Sequence, residues 1–411
     1  MPYELITRLL GFPDFRLVGI ETEERSVVLT LEREAMTFRC GSCGKEGLPG
    51  YDHKIQEVRH LLWWQHPTVI RFPHSRVVCP TCKVVTEALD FLPVRGPRVT
   101  RPLAHLVYEL CKITTHKAVG LLLGLHRGTV KAIDQRMMEK VQSERPLDGI
   151  DVLGFDEIAA GKGQSYWTLI CAPEGPRGPE LLHIVEGRKE KDLKPFWSWF
   201  GKERAQKVTH AVMDMWPAFR KSFLAHCPEG KVIFDKFHVI RHLLDAVNEV
   251  RKQELKRLGG AFKGLLSGKK FVLLARRSNL KPEARKALSE LLLVSPRLLK
   301  AYVLKESFDH LWDFTSRTWA VKFFRKWVGA LKWSRLTPLK KFASMVEEHL
   351  DGILSYCDRK VPLGYIESTN QKAKNVIRRA YGYRDKDFKK LKIIQACTPW
   401  MNEFQPWSRY P

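Results

Sequence analysis

The stretch from Val152 to Asp235 restricts the fold more than any other part of the chain. Val152-Leu-Gly-Phe-Asp-Glu-Ile-Ala159, Ser165-Tyr-Trp-Thr-Leu-Ile-Cys171 and Glu180-Leu-Leu-His-Ile-Val185 read as three strands, rich in β-branched and aromatic residues. The turn-rich loop Pro173-Glu-Gly-Pro-Arg-Gly-Pro179 separates the last two. A helix over Glu190–Phe200 follows, containing Phe196-Trp-Ser-Trp199. Val208-Thr-His-Ala-Val-Met-Asp214 is a fourth strand ending on an acid, Trp216-Pro-Ala-Phe-Arg220 opens another helix, and Lys231-Val-Ile-Phe-Asp235 is a fifth strand.

Three strands, then helix, strand, helix and strand, is the order of a ribonuclease-H-like sheet. In that order the first and fourth strands are neighbours, so Asp156 and Asp214 would sit side by side at the centre of a mixed five-stranded sheet. Paired carboxylates of this kind hold two Mg²⁺ (or Mn²⁺) ions about 3.5–4 Å apart for phosphoryl transfer, because hard cations take oxygen ligands. Two bland readings stand beside this one. Glu157 replaces Asp156 if the strand register slips by one residue, and Asp214 before Trp216-Pro217 could be a helix cap.

The third acid such a site needs would come from the amphipathic helix that begins at Gly364. At about 100° per residue, Ile366, Ala373, Ile377 and Ala380 form one apolar line, and Glu367, Asn370, Lys374 and Arg378 form a second beside it. Glu367 is then either a metal ligand beside cations that grip a phosphate backbone, or one partner in a salt-bridged surface helix.

The charge balance bears on that choice. The 411-residue chain is 44% hydrophobic and 28% charged, as an ordinary globular protein is, yet carries a net charge of +25. An excess that large attracts polyanions, nucleic acid ahead of anionic membrane. No run of about 18 apolar residues is present. Met1-Pro-Tyr-Glu-Leu5 lacks the pattern of a signal peptide. A cytoplasmic protein is expected, and there nine cysteines stay reduced.

Among those nine, Cys40-Gly-Ser-Cys43 and Cys79-Pro-Thr-Cys82 are two CxxC knuckles with 35 residues between them. Each turn points two sulfurs at one spot, and together they complete a tetrahedral Zn²⁺ site. Strand-like Val69-Ile-Arg-Phe72 and Arg76-Val-Val78 suit a zinc ribbon. The alternative, four unrelated buried cysteines, leaves two identical spacings unexplained. His53, His60, His66 and His74 lie nearby, but four cysteines suffice. Before the ribbon, residues 15–38 alternate as a hairpin; after it, Pro93-Val-Arg-Gly-Pro-Arg98 reads as a linker.

Next come helices from Pro102 to about Ile113 and over Lys117-Ala-Val-Gly-Leu-Leu-Leu123, a tight turn at Gly124-Leu-His126, and a third helix from Arg127. This is a helix-turn-helix arrangement. Arg127, Thr129, Lys131 and Arg136 would face a DNA groove or its phosphates. Between Asp235 and Glu367 lies a long basic helical insertion, with helices expected at about 237–257, 286–304, 307–332 and 337–356. Trp312, Trp319, Trp327 and Trp333 recur near helical spacing, which favours core packing over stacking on an unpaired base.

Taken together, these motifs resemble a bacterial insertion-sequence transposase of the DDE class, of the family named ISL-three. The matching elements are the cysteine ribbon, the helix-turn-helix, Gly154-Phe-Asp-Glu-Ile-Ala159, Met213-Asp-Met-Trp216 and Asp235-Lys-Phe-His-Val239. They continue with Glu367-Ser-Thr-Asn-Gln-Lys-Ala-Lys374 and Arg378-Arg-Ala-Tyr-Gly-Tyr-Arg384, and cover nearly the whole chain. The resemblance implies that Asp156, Asp214 and Glu367 are the catalytic and Mg²⁺-binding triad, and that Lys374 contacts DNA near the cut. Asn370, Arg378 and Arg379 fall in the same motifs as DNA contacts.

The expected architecture is an α+β multidomain protein. Residues 1–95 would form the hairpin and zinc ribbon, and 96–147 the helix-turn-helix domain. The ribonuclease-H-like catalytic domain would be built from 148–240 and 359–411, interrupted by an all-α insertion at 241–358. The implied activity is binding of terminal inverted repeats, cleavage at the transposon ends and joining of the 3′-OH ends to target DNA. Its partners would be double-stranded DNA and a second copy of the chain, without membrane or small-molecule substrate. A nuclease or resolvase that cuts without joining, and an inactive DNA-binding regulator, are the alternatives.

Overall fold

A computed structural model describes residues 3–405 apart from 35, 94–95, 162–164, 260–267 and 380–384. Part of the expected linker and the end of the arginine motif, from Ala380, lie outside the described residues. No described helix is long and apolar enough to cross a membrane. Two mixed sheets and many helices make an α+β multidomain chain, and its described residues cluster into two compact units.

Unit 1 takes in residues 3–145 together with 385–396 and 400–405. Residues 385–396 and 400–405, grouped by the sequence reading with the glutamate-bearing segment, therefore cluster with the N-terminal elements. Helix α1 (Glu4–Leu10) leads into the expected hairpin, β1 (Phe15–Glu23) and β2 (Ser26–Arg33). Strands β3 (Gly50–Trp63), β4 (His66–Cys79) and β5 (Lys83–Thr86) complete a sheet of order β1-β2-β4-β3, with β5 on the outer part of β4. Only β2 and β4 run parallel. Phe12, Phe15, Phe72 and Phe91 pack edge-on or stacked beneath it. Each fully buried Phe contributes roughly 1.5–3 kcal/mol by leaving water.

Three helices follow: α2 (Arg101–Ile113), α3 (His116–Leu123) and α4 (Arg127–Glu144). Thr100 and Thr115 accept a backbone N–H at the starts of α2 and α3, and His126 caps α4. Gly124 ends α3 in the left-handed conformation that only glycine adopts cheaply. The later helix Lys386–Cys397 is tied to this group through a buried ammonium: Lys392 Nζ lies 2.8 Å from Asp134 Oδ2 and donates to the Cys111 carbonyl and the Gln395 side chain.

Unit 2 holds residues 146–379 and 397–399 of those described. Its sheet has the order β10-β9-β6-β7-β8, with β6 (Val152–Ala159), β7 (Tyr166–Ala172), β8 (Glu180–Glu186), β9 (His210–Met213) and β10 (Lys231–Phe234). The first three strands form an antiparallel meander, and β9 and β10 add in parallel on the β6 side. The first and fourth strands of the meander-and-crossover order are thus neighbours, Phe155 lying opposite Met213. Helices α5 (Lys194–Phe200), α6 (Lys202–Ala205) and α7 (Pro217–His226) accompany the sheet, and Phe155, Phe196, Trp197 and Phe219 form its aromatic core.

The insertion opens with α8 (Lys236–Leu258), N-capped by Asp235. The single helix expected over 286–304 is two, Pro282–Val294 and Pro296–Phe308, because Pro296 lacks an N–H and Ser295 caps the second. The helix expected over 337–356 likewise breaks at His349 into Thr337–Glu348 and Leu350–Asp358. A buried anion joins α8 to this bundle: Glu254 accepts from Arg257, Ser295 and Arg297. Core packing holds for Trp312 and Trp327. It fails for Trp319 and Trp333, which are 60% and 89% exposed, since their helix is buried on the Ala320, Phe324, Trp327 and Leu331 line instead.

Candidate active site and zinc ribbon

Asp156 is the fifth residue of β6, and Asp214 follows the last residue of β9. The parallel register that sets Phe155 against Met213 brings the two aspartates to adjacent positions at the same end of the sheet. Asp156 is buried, at 8% exposure, and accepts from the Glu157 amide at 2.7 Å and from the Asn370 side-chain amide. Burial raises its pKa to about 6, against the lowering pull of His238 and these hydrogen bonds. Asp214 accepts from the Met215 amide at 2.6 Å. It is not the cap of α7, since Trp216 takes that position without a side-chain hydrogen bond. Glu157 points to the other partner set: Arg188 Nη1 donates to both its oxygens at 3.1 Å.

The helix Gly364–Arg379 lies against β6. Its buried line is Ile366, Thr369 and Ala373, so Glu367, Asn370 and Lys374 project beside it. Gly154 makes this seat possible. A Cβ there would stand 2.9 Å from Ile366 Cδ1 and 2.7 Å from Cys171 Sγ, distances that real contacts do not tolerate. The helix therefore rests on bare backbone two residues before Asp156.

Asp156, Asp214, Glu367, Asn370 and Lys374 line one open cleft of about 520 Å³. Glu367 and Lys374 are exposed within it, and Arg378 is exposed one turn further on. The side chain of Arg379 lies outside what is described. Asp235, His238 and Arg241 also line the cleft, and the sequence alone assigns them no site role. His238 Nδ1 is 3.3 Å from Asp235 Oδ2, and its Nε2 is 3.9 Å from Asp214 Oδ2. Burial disfavours the imidazolium, but the Asp235, Asp214 and Asp156 carboxylates outweigh it and raise the His238 pKa. The Asp235-Lys-Phe-His238 spacing, one helical turn after a strand-end acid, is the signal that could have found this pair.

The donor set of the cleft is oxygen-rich and suits a hard divalent cation. Two further observations fit one: the buried carboxyl of Asp156 lacks a full counter-charge, and Asn370 Oδ1 is buried without a hydrogen-bond partner among the described residues. Glu367 is exposed in the cleft, where its carboxylate is open to such a cation.

In unit 1, the four sulfurs of Cys40, Cys43, Cys79 and Cys82 lie within 4.8 Å of one another, and Cys43 Sγ is 3.6 Å from Cys79 Sγ. The Cys43 and Ser42 amides, aimed at the Cys40 sulfur, lower its pKa to about 6, while crowding by Cys43 and Cys40 pushes Cys82 up to about 12. Gly41 is required there, because a Cβ would meet the Thr86 carbonyl at 2.4 Å. A second cluster, Cys111, His116 and Asp134, has metal-like spacing, but the Lys392 ammonium already neutralises its carboxylate.

The positions expected to contact DNA on α4 do not share one face. At about 100° per residue, Arg127 and Lys131 lie on one side, and Thr129 and Arg136 on the opposite side. Lys131 is paired with Asp385 at 2.8 Å, whereas Arg127 and Arg136 are exposed.

An acidic cleft flanked by lysine and arginine, in a chain of net charge +25 that also carries a four-cysteine ribbon, is the equipment of a protein class that handles nucleic acid. The chain belongs to the ISL3 family of transposases, whose transposase model matches residues 153–393. A model of the zinc finger of the transposases of IS204, IS1001, IS1096 and IS1165 matches residues 37–82. The chain is similar to the transposase for insertion sequence element IS1001 of Bordetella parapertussis, 28% identical over 401 residues, covering 96% of this chain and 98% of the relative. It is also similar to the transposase for IS1557 of Mycobacterium tuberculosis, 24% identical with 92% of each chain covered. Family membership makes DNA the implied partner, and the ribbon model together with the four clustered cysteines supports zinc.

Proposed function

We propose that this protein is an active DDE transposase that cuts DNA at the ends of its insertion sequence and joins the 3′-OH ends to target DNA. The observation that carries this reading is the meeting of Asp156, Asp214 and Glu367 in one cleft beside Lys374. The strand order of unit 2 supports a ribonuclease-H-like catalytic domain. The three helices after the ribbon support a helix-turn-helix module that, with the ribbon, recognises the terminal inverted repeats. Of the expected contacts on α4, Arg127 is the one that stays exposed on the Lys131 face.

Mg²⁺ or Mn²⁺, held by the three carboxylates, would supply Lewis-acid stabilisation of the attacking and leaving oxygens in an in-line displacement. The chain's own residues do the rest. Asn370 fixes the orientation of the Asp156 carboxylate. Lys374 and Arg378, on the exposed side of the glutamate helix, hold the phosphate backbone across the cleft. His238 ties the Asp214 and Asp235 side chains together. Two ends must be held at once for joining, so the acting form is at least a dimer on DNA.

The test uses a duplex carrying one transposon end with Mg²⁺, followed by a joining assay with a target plasmid. Asp156→Asn, Asp214→Asn and Glu367→Gln should each abolish cleavage and leave end binding within about threefold of wild type. A variant that still cuts removes that acid from the site. Cleavage without joining replaces the proposal by a nuclease or resolvase, and binding without cleavage replaces it by a regulator.

A further inference from the structure

The helix Arg317–Leu331 and the turn after it present a surface that the catalytic reading does not use. Trp319, Lys322, Lys326, Gly329 and Trp333 follow one another at intervals of three or four residues, and so form a single stripe. The opposite line, Ala320, Phe324, Trp327 and Leu331, is buried. Trp319 and Trp333 are exposed, and each carries a lysine ammonium over its ring: Lys322 at 4.5 Å and Lys332 at 5.4 Å from the ring centroids.

Three features say what such a surface is for. Exposed tryptophans are costly to leave in water and mark places where a partner binds. The stretch from Phe314 to Val346 contains eight lysines and arginines and no aspartate or glutamate. Among the described residues, Lys322, Arg325 and Lys326 pair with no carboxylate. A run of that sign repels another basic copy of this chain and attracts a polyanion. Gly329 interrupts the helix interior, where glycine is less stable than alanine. Its φ does not demand glycine, and a Cβ there would meet nothing within 4 Å. Bare backbone at the middle of the stripe lets a strand come close.

Aromatic platforms for bases, interleaved with cations for phosphates, are how proteins hold unpaired nucleic acid strands. From Trp319 to Trp333 the stripe spans about 20 Å at ~1.5 Å per residue, or about six nucleotide steps at ~3.4 Å. We propose that this stripe is a binding face for single-stranded DNA, with Trp319 and Trp333 stacking on bases and Lys322 and Lys326 on the backbone between them. It rests on the reading of this protein as one that acts on DNA, and gives that reading a place for strands unpaired around the cut.

The full-length protein is titrated against a fluorescein-labelled oligo(dT) of about 20 nucleotides and a duplex of equal length, by anisotropy over a range of salt concentrations. Trp319→Ala/Trp333→Ala should weaken oligo(dT) binding at least tenfold and change duplex binding less than about threefold. Trp319→Phe/Trp333→Phe should restore most of it, because the rings remain. Lys322→Ala/Lys326→Ala should lower the slope of log K against log salt by about 1.4 on the single strand. Wild-type affinity for oligo(dT) in the Trp→Ala variant, with wild type binding both DNAs, overturns the stripe and leaves the transposase reading standing. Loss of self-association in that variant with unchanged oligo(dT) affinity also overturns it, assigning the stripe to protein contact. A wild-type protein that binds neither DNA overturns both.

Discussion

The side-chain amide of Asn370 donates a hydrogen bond to the buried carboxylate of Asp156, joining the glutamate helix to the central strand. The opposite orientation of the amide would set its oxygen against a carboxylate, so the donor assignment follows from charge. Asn370 was expected as a DNA contact, and its amide nitrogen also holds a neighbouring acid. Asn370→Ala should therefore keep end binding within about threefold and slow metal-dependent cleavage by roughly 10–100-fold, the range seen when a partner of a metal ligand is lost. Cleavage at the wild-type rate would show that Asp156 needs no such support.

Gly154 predicts a second loss at a distance. Gly154→Ala places a methyl group against Ile366 and Cys171. The Ile366 and Cys171 side chains must give way, and the expected result is an outward shift of the helix that carries Glu367 with it, at a strain cost of about 1–3 kcal/mol. Cleavage should fall at least tenfold although the new methyl group reaches no substrate, and a lowered melting temperature should accompany it. Gly154→Ala combined with Ile366→Val should recover part of both.

The Asp156 carboxyl makes stability depend on pH in a definite direction. Its pKa is about 6 in the folded protein against 3.8 for an exposed aspartate, so the folded state binds the proton more tightly. Stability is then lost as pH rises from about 4 to 6. At ~1.36 kcal/mol per pH unit the full effect is roughly 3 kcal/mol above pH 6. Asp156→Asn escapes it. In EDTA, the variant should melt close to wild type at pH 4 and several degrees higher at pH 7.5, and Mg²⁺ should narrow the gap. A gap that does not change with pH would mean that Asp156 is solvated.

Metal analysis should find one zinc per chain. Cys79→Ser should lose it, and a chelator should expose four thiols to a chromogenic reagent. Two zincs per chain would mean that Cys111, His116 and Asp134 also bind metal, against the lysine that lies among them.

That lysine carries its own prediction. Lys392→Met leaves Asp134 buried with only His116 against it, a change expected to cost roughly 3–5 kcal/mol. Adding Asp134→Asn should recover part of the loss. Thermal unfolding of the two variants decides it.

Features that depend on residues close in the chain are legible in the sequence. The cysteine knuckles announce themselves by spacing, and the aspartates by lying inside one hydrophobic strand and at the end of another. Glu367 stood out as a candidate because one helix face carries an acid, an amide and two cations at intervals of three or four. What escaped depends on partners far away in the chain. Nothing local in Lys392 points to Asp134, and nothing in Glu157 points to Arg188, which pairs with it although Glu157 also lines the cleft. Trp319 and Trp333 share their spacing with the buried Trp327, and only the bundle around them decides which indole faces water. The break at Ser295-Pro296 escaped because the apolar period runs across it, although a proline preceded by a capping residue is a helix start.

The return of residues 385–396 to unit 1 has a consequence for how the molecule is made. A ribosome that has delivered the first 360 residues has produced the ribbon, all of the three N-terminal helices and the whole five-stranded sheet. It has produced neither Glu367 nor Lys392. The cleft then lacks its third acid, and the N-terminal helices enclose an aspartate with no ammonium to answer it. Both units therefore wait on the same last stretch of message, and a chain stopped before it lacks the third acid of the cleft in one unit and the buried ammonium in the other.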